Sequence, residues 1–198
     1  LYYERSNFFF LVMFNTNEEL IEMGEHIEYA IEMASNAFAT QDCEKATEAI
    51  NYDTEIDQQE RDIEALCMKL LLQQQPGAKD LRLISSALKM ITDMERIGDH
   101  AADISEMTLS MAGAPYMIKP DCIQKMAVET IDMVIRSVNA FVNKDLEAAR
   151  WVIKRDDVVD ELFDSVKSRL IDLINSNKEN GEQASDMLMV AKYFERIG

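Results

Sequence analysis

Eight carboxylates stand out by residue type and spacing. Asp53 and Asp57 lie four residues apart, and so do Asp156 and Asp160. Glu95 and Asp99 form a third such pair, with Asp103 one turn further on, and Glu195 stands near the end of the chain. On a helix this spacing puts both side chains on one face, with Cβ atoms about 5–6 Å apart, and the like charges cost an isolated helix about 0.2–0.5 kcal/mol. A divalent or trivalent cation between them reverses the sign of that term, because hard cations prefer oxygen donors. Taken singly, each pair is most simply a solvated helix face. Their recurrence at matched places along the chain points to metal binding.

Other chemistries find less support. A di-iron bundle needs Glu-x-x-His on two helices, but the residues three before His26 and His100 are Met23 and Ile97. The two histidines read as boundary residues, and Arg96 as a cation able to neutralise a nearby acid without metal. There is no glycine-rich phosphate loop, and no Ser/His/Asp or Cys/His grouping for nucleophilic catalysis. Catalytic residues are therefore not assigned. Cys43, Cys67 and Cys122 form no CxxC and are odd in number, which fits buried thiols in a reducing compartment. The 13 methionines read as core filler.

The elements that must position these acids are helices. Six Gly and three Pro in 198 residues leave too few turn formers for an all-β domain, and the remaining composition favours helix. Breaks at 73–77, 113–120 and 175–181 divide the chain into helices expected near 17–41, 43–74, 79–111, 121–143, 145–174 and 183 to the end. In the third, Leu81, Ile84, Leu88 and Ile91 mark an apolar wedge, and Glu95 and Asp99 fall inside it. On the second, Asp53, Asp57, Glu60 and Glu64 form an acidic stripe. No segment reaches the roughly 18 apolar residues of a membrane span. The run Phe8–Phe14 is too short and has no small-residue cleavage site behind it; it reads as the start of helix one or as an added segment.

An internal repeat organises these helices. Residues 36–57 return as 139–160, both opening Asn-Ala-Phe, with Asp42/Asp145, Glu44/Glu147, Asp53/Asp156 and Asp57/Asp160 in register. Glu95-Arg96-Ile97-Gly98 returns as Glu195-Arg196-Ile197-Gly198, three residues shorter in spacing. The expected fold is all-α: two tandem, pseudo-symmetric three-helix bundles, residues 1–112 and 113–198. Starting at Leu1 and stopping at Gly198 in mid-pattern fits a chain whose last helix is incomplete.

The formal charge of −17 disfavours nucleic acid as a partner and electrostatic docking on anionic lipid. So much carboxylate attracts cations or simply keeps the protein soluble.

The stretch from Asp93 to Ile104, DMERIGDHAADI, together with Gln73-Gln74-Gln75-Pro76-Gly77-Ala78-Lys79-Asp80-Leu81-Arg82 and Met23-Gly24-Glu25, resembles the PhoU family of bacterial phosphate-uptake regulators over nearly the whole chain. The resemblance implies two similar three-helix bundles whose (Glu/Asp)-x-x-x-Asp motifs hold multinuclear metal clusters, iron or zinc in some members. Carried over, the ligands are Asp53, Asp57, Glu95 and Asp99 in the first half, and Asp156, Asp160 and Glu195 in the second. It further implies a cytoplasmic, non-catalytic homodimer that represses the phosphate-starvation response. Such a protein links the ATPase subunit of the phosphate ABC transporter to a phosphate-sensing histidine kinase, and meets the membrane only through those partners. Two rival readings remain: a metal-dependent hydrolase or oxidase built on the carboxylate clusters, and a structural adaptor whose acids only solubilise it.

Overall fold

A computed structural model describes residues 2–74, 76–119 and 121–198. The expectations that touch Leu1, Gln75, Pro120 and the side chains of Phe8 to Phe10 lie outside the described residues. Among the described residues there are six α-helices and one short 3-10 turn: α1 (Tyr2–Thr40), α2 (Cys43–Gln74), α3 (Ala78–Ser110), α4 (Asp121–Asn143), α5 (Leu146–Ser176), the turn Lys178–Asn180 and α6 (Gly181–Ile197). No strand occurs among the described residues.

The repeated Asn-Ala-Phe…Asp segment is legible as a turn device. At the end of α1, Gln41 takes φ 53°. Its N–H returns to the Phe38 carbonyl at 3.4 Å, and the Asp42 N–H returns to Ala37 at 3.0 Å. The Asp42 carboxylate then accepts from the N–H groups of Glu44 and Lys45, each at 3.1 Å, and starts α2. Between α4 and α5, Lys144 takes φ 57°. Its N–H reaches Phe141 at 3.2 Å and that of Asp145 reaches Ala140 at 2.9 Å. Asp145 caps α5 through Glu147 at 2.9 Å and Ala148 at 3.0 Å. One left-handed residue closes the outgoing helix and the next residue's carboxylate satisfies the orphan donors of the incoming one.

Within the first unit α2 packs along α1 and α3; within the second, α5 packs along α4 and α6; α1 against α4 and α3 against α6 join the units. A single apolar core runs through both, with Ile27, Phe38, Ile56, Ile84, Met187 and Phe194 inaccessible to solvent. Each such side chain contributes about 1.5–3 kcal/mol on removal from water.

Three expectations need correction. Helix one starts far earlier than residue 17: the apolar run is part of α1, where Val12 and Met13 are buried and Thr16 Oγ1 donates to the Val12 carbonyl at 2.9 Å. Leu11 and Phe14 on the same stretch face outward. The apolar stripe of α3 also runs along a different line. Its buried positions include Ile84, Ala87, Ile91, Met94, Gly98 and Ala101, in alternating steps of three and four, whereas Leu81 is 47% exposed. Small residues mark where the neighbouring helices come close, and a wedge drawn from large side chains overlooks them. Glu95 and Asp99 consequently border the stripe. Finally, Cys67 is buried but Cys43, on the first turn of α2, is exposed.

Candidate metal centre

Asp53 and Asp57 project from α2 toward α3, which carries Glu95, Asp99 and Asp103, and the charges of all five interact. Burial raises the Asp53 carboxyl to about 6, helped by the negative charges of Asp99, Asp57 and Asp103. Glu95 is raised by burial and then by Asp99, Glu60, Asp57 and Asp53. Asp99 is raised by burial, Asp103 and Asp57, and His100 opposes the shift. Only closely grouped acids perturb one another in this way.

Gly98 makes the grouping possible. It sits buried in α3 between Glu95 and Asp99, and a Cβ there would stand 3.0 Å from Asp53 Oδ1 and 3.0 Å from Ile56 Cδ1. The bare glycine backbone lets α2 lay Ile56 into the core and Asp53 beside it. Asp53 Oδ1 is out of solvent and accepts no hydrogen bond, a costly state for a carboxylate oxygen.

Among the described residues, the cations nearest this group sit at exposed positions. Arg96, expected as a neutralising residue, turns to Asp93 at 3.3 Å, and Lys89 holds the same Asp93 at 2.6 Å. Arg61 stands 3.9 Å from Asp57 at an exposed position. His100 packs on Tyr193 of α6, with ring centroids 5.5 Å apart, and its Nδ1 is 3.5 Å from Asp103. His26 packs on Tyr52, with ring centroids 5.8 Å apart.

The second half repeats the arrangement in a more open form. Asp156 and Asp160 are exposed on α5 and Glu195 is half-buried on α6. Asp156 is raised by burial, then by Asp160, Asp157 and Glu195. Gly198 packs on Val159, with a hypothetical Cβ 3.4 Å from Cγ1, as Gly98 packs on Ile56.

An all-oxygen donor set with an orphaned, desolvated Asp53 oxygen suits a hard or borderline cation. Among the described residues no three His, Cys, Asp or Glu side chains converge as a formed cage. Asp53, Asp57, Glu95 and Asp99 lie along the α2–α3 seam within electrostatic reach of one another. Glu60 and Asp103 join the charge cluster beyond the ligand set drawn from the sequence. Both were visible there, Glu60 in the acidic stripe of helix two and Asp103 one turn past Asp99.

The fold and site define a class: a duplicated three-helix bundle with an acidic seam between the second and third helix of each copy. The family model described as the PhoU domain matches residues 20–108 and again 123–198. A phosphate-specific transport system accessory protein PhoU homolog of Aquifex aeolicus is 35% identical over 91% of this chain and 82% of its own length. One from Clostridium acetobutylicum is 35% identical over 92% and 84%. The crystal structure of PhoU from Pseudomonas aeruginosa superposes with a TM-score of 0.91 at 26% identity, covering 96% of this chain and 91% of that one. The chain belongs to the PhoU family. No helix among the described residues is long and apolar enough to cross a membrane.

Proposed function

We propose that the chain is a negative regulator of phosphate uptake and of the phosphate-starvation response, acting by binding rather than by catalysis. The observation that carries this reading is the match of both halves to a family whose curated relatives are named accessory proteins of the phosphate-specific transport system. A solved relative from Streptococcus pneumoniae, at TM-score 0.82 and 25% identity over 96% of this chain and 92% of that one, is titled a phosphate transport system regulatory protein. Its partners are then the ATPase subunit of the phosphate ABC transporter and a phosphate-sensing histidine kinase. It works in the cytoplasm as a homodimer, meets the membrane only through those partners, and its two bundles divide near residues 112 and 113.

Asp53, Asp57, Glu95 and Asp99 hold metal ions in the first half, and Asp156, Asp160 and Glu195 do so in the second. A bound cation supplies positive charge that offsets the mutual repulsion of the acids and ties the second helix of each bundle to the third. The shifts of Asp53, Glu95 and Asp99 and the orphaned Asp53 oxygen support this placement. Oxygen donors alone do not choose between iron, zinc and manganese.

The test is a strain lacking the corresponding gene, with a reporter of phosphate-starvation expression, complemented by this chain. The expected result is restored repression in high phosphate and capture of the transporter ATPase subunit by the tagged chain. Unchanged reporter expression together with no capture of ATPase or kinase contradicts the proposal.

A further inference from the structure

The two acidic seams are related by the repeat, but their charge balance differs, and two of the equivalent positions that differ stand beside the acid of the third helix. Position 60 of α2 corresponds to 163 of α5, and position 92 of α3 corresponds to 192 of α6. In the first half these are Glu60 and Thr92. The Thr92 hydroxyl lies between the Leu88 carbonyl at 3.2 Å and the Glu60 carboxylate at 3.3 Å, and Glu60 adds its negative charge to the field at Glu95. In the second half they are Phe163 and Lys192. Lys192 Nζ lies 5.2 Å from the centre of the Phe163 ring and is in contact with Oε2 of Glu195, an oxygen out of solvent. The extra acid has been replaced by an aromatic face, and that face seats a cation.

We propose that Lys192 is the built-in counter-cation of the second seam, so that Lys192 and a metal ion compete for Glu195 and the demand for divalent cation is concentrated in the first half. This inference rests on the metal-binding reading of the carboxylate pairs. Ammonium and metal cannot share one carboxylate oxygen without repelling each other, so cation affinity in the second half is set by the cost of displacing Lys192 from Glu195 and Phe163. The first half has Thr92 there; among the described residues the cation nearest its acids is Arg61, 3.9 Å from Asp57 at an exposed position, where solvent screens it more than Lys192 is screened against the Phe163 ring. Thr92 is exposed and Lys192 is 38% exposed, so exchanging them leaves the core intact.

The experiment titrates the whole chain, stripped with chelator, with Mn²⁺ by calorimetry, alongside K192T, T92K and each of these in a D53N/D99N background. The wild type is expected to show a tight and a weak class of site. D53N/D99N should remove the tight class, K192T should tighten the weak class by about tenfold, and T92K should weaken the tight class by about tenfold, the size expected of one unit charge a few ångströms from the ion in a partly solvated site. Equal affinities in the two halves, or a K192T titration within about twofold of wild type, overturn the proposal while leaving metal binding intact. Absence of Mn²⁺ binding in every form overturns the metal reading and this inference with it. A metal-free measurement tests Lys192 separately: at neutral pH K192T should lower the melting temperature of the stripped chain, and the loss should vanish in an E195Q background. An equal loss in both backgrounds shows that Lys192 does not act through Glu195 and overturns the proposal.

Discussion

Gly98 and Asp53 meet across the seam between α2 and α3, where a Cβ on the glycine would stand 3.0 Å from Asp53 Oδ1. The same Cβ would press on Ile56 Cδ1 and Cγ2 at 3.0 and 3.1 Å. Ile56 is fully buried and has nowhere to give. Overpacking of this kind costs about 1–3 kcal/mol, against about 1 kcal/mol gained by removing glycine from a helix interior. Gly98→Ala is therefore expected to be destabilising on balance and to weaken cation binding, as read by denaturant melts with and without metal. Gly181→Ala, where a Cβ meets nothing within 4 Å, serves as the control.

The pH dependence of the stripped chain follows from Asp53. Its carboxyl has an ordinary value of 3.8 and is raised to about 6 in the fold. A raised acid contributes stability fully present below its unfolded value and lost as pH rises through its folded value. Glu95 and Asp99 shift in the same direction. The metal-free protein should thus melt higher near pH 5 than near pH 7, and Asp53→Asn should flatten the profile. A wild-type profile that falls between pH 7 and 5 in parallel with the variant would count against the acid cluster.

The two turn residues separate local strain from tertiary bonding. Lys144 and Gln41 both sit in the left-handed region, which costs a non-glycine residue about 1–2 kcal/mol. Lys144→Gly is expected to stabilise the chain by about 0.5–1 kcal/mol after the entropy of the unfolded glycine is counted. Gln41→Gly should not, because Gln41 Nε2 also donates to the Ala114 carbonyl at 2.8 Å and fastens the α3–α4 connection. Asp145→Ala should cost about 1 kcal/mol through the lost cap of α5. Equilibrium urea unfolding of the three variants checks the order.

Much of this was legible in the residues. The repeat located both helix-turn-helix corners, because Asn-Ala-Phe with an aspartate four residues later is a complete stop-and-start device. The paired acids were found by spacing alone, and α2 and α3 place the first four within electrostatic reach of one another. The apolar run could be read as the start of helix one or as an added segment, but the helix bound drawn from the breaks began only at residue 17, whereas α1 runs from Tyr2. The line of the α3 stripe was misjudged because Ala87, Gly98 and Ala101 mark close helix approach without a hydropathy signal. Arg96 showed the limit of spacing arguments: it pairs with Asp93, three residues back on its own helix, rather than with the seam. The contrast between Glu60/Thr92 and Phe163/Lys192 was open to a residue-by-residue comparison of the two halves, but its meaning depends on the lysine being seated on the ring.

The central claim is that the carboxylates of the α2–α3 seam hold metal. Elemental analysis of the chain purified without chelator, beside the D53N/D99N variant, tests it most directly. The account predicts bound iron, zinc or manganese in the wild type, loss of that metal in the variant, and a melting temperature that falls on chelation by about 2–4 °C for each kcal/mol of binding lost. Metal-free wild-type protein with no thermal response to any of the three ions would contradict it.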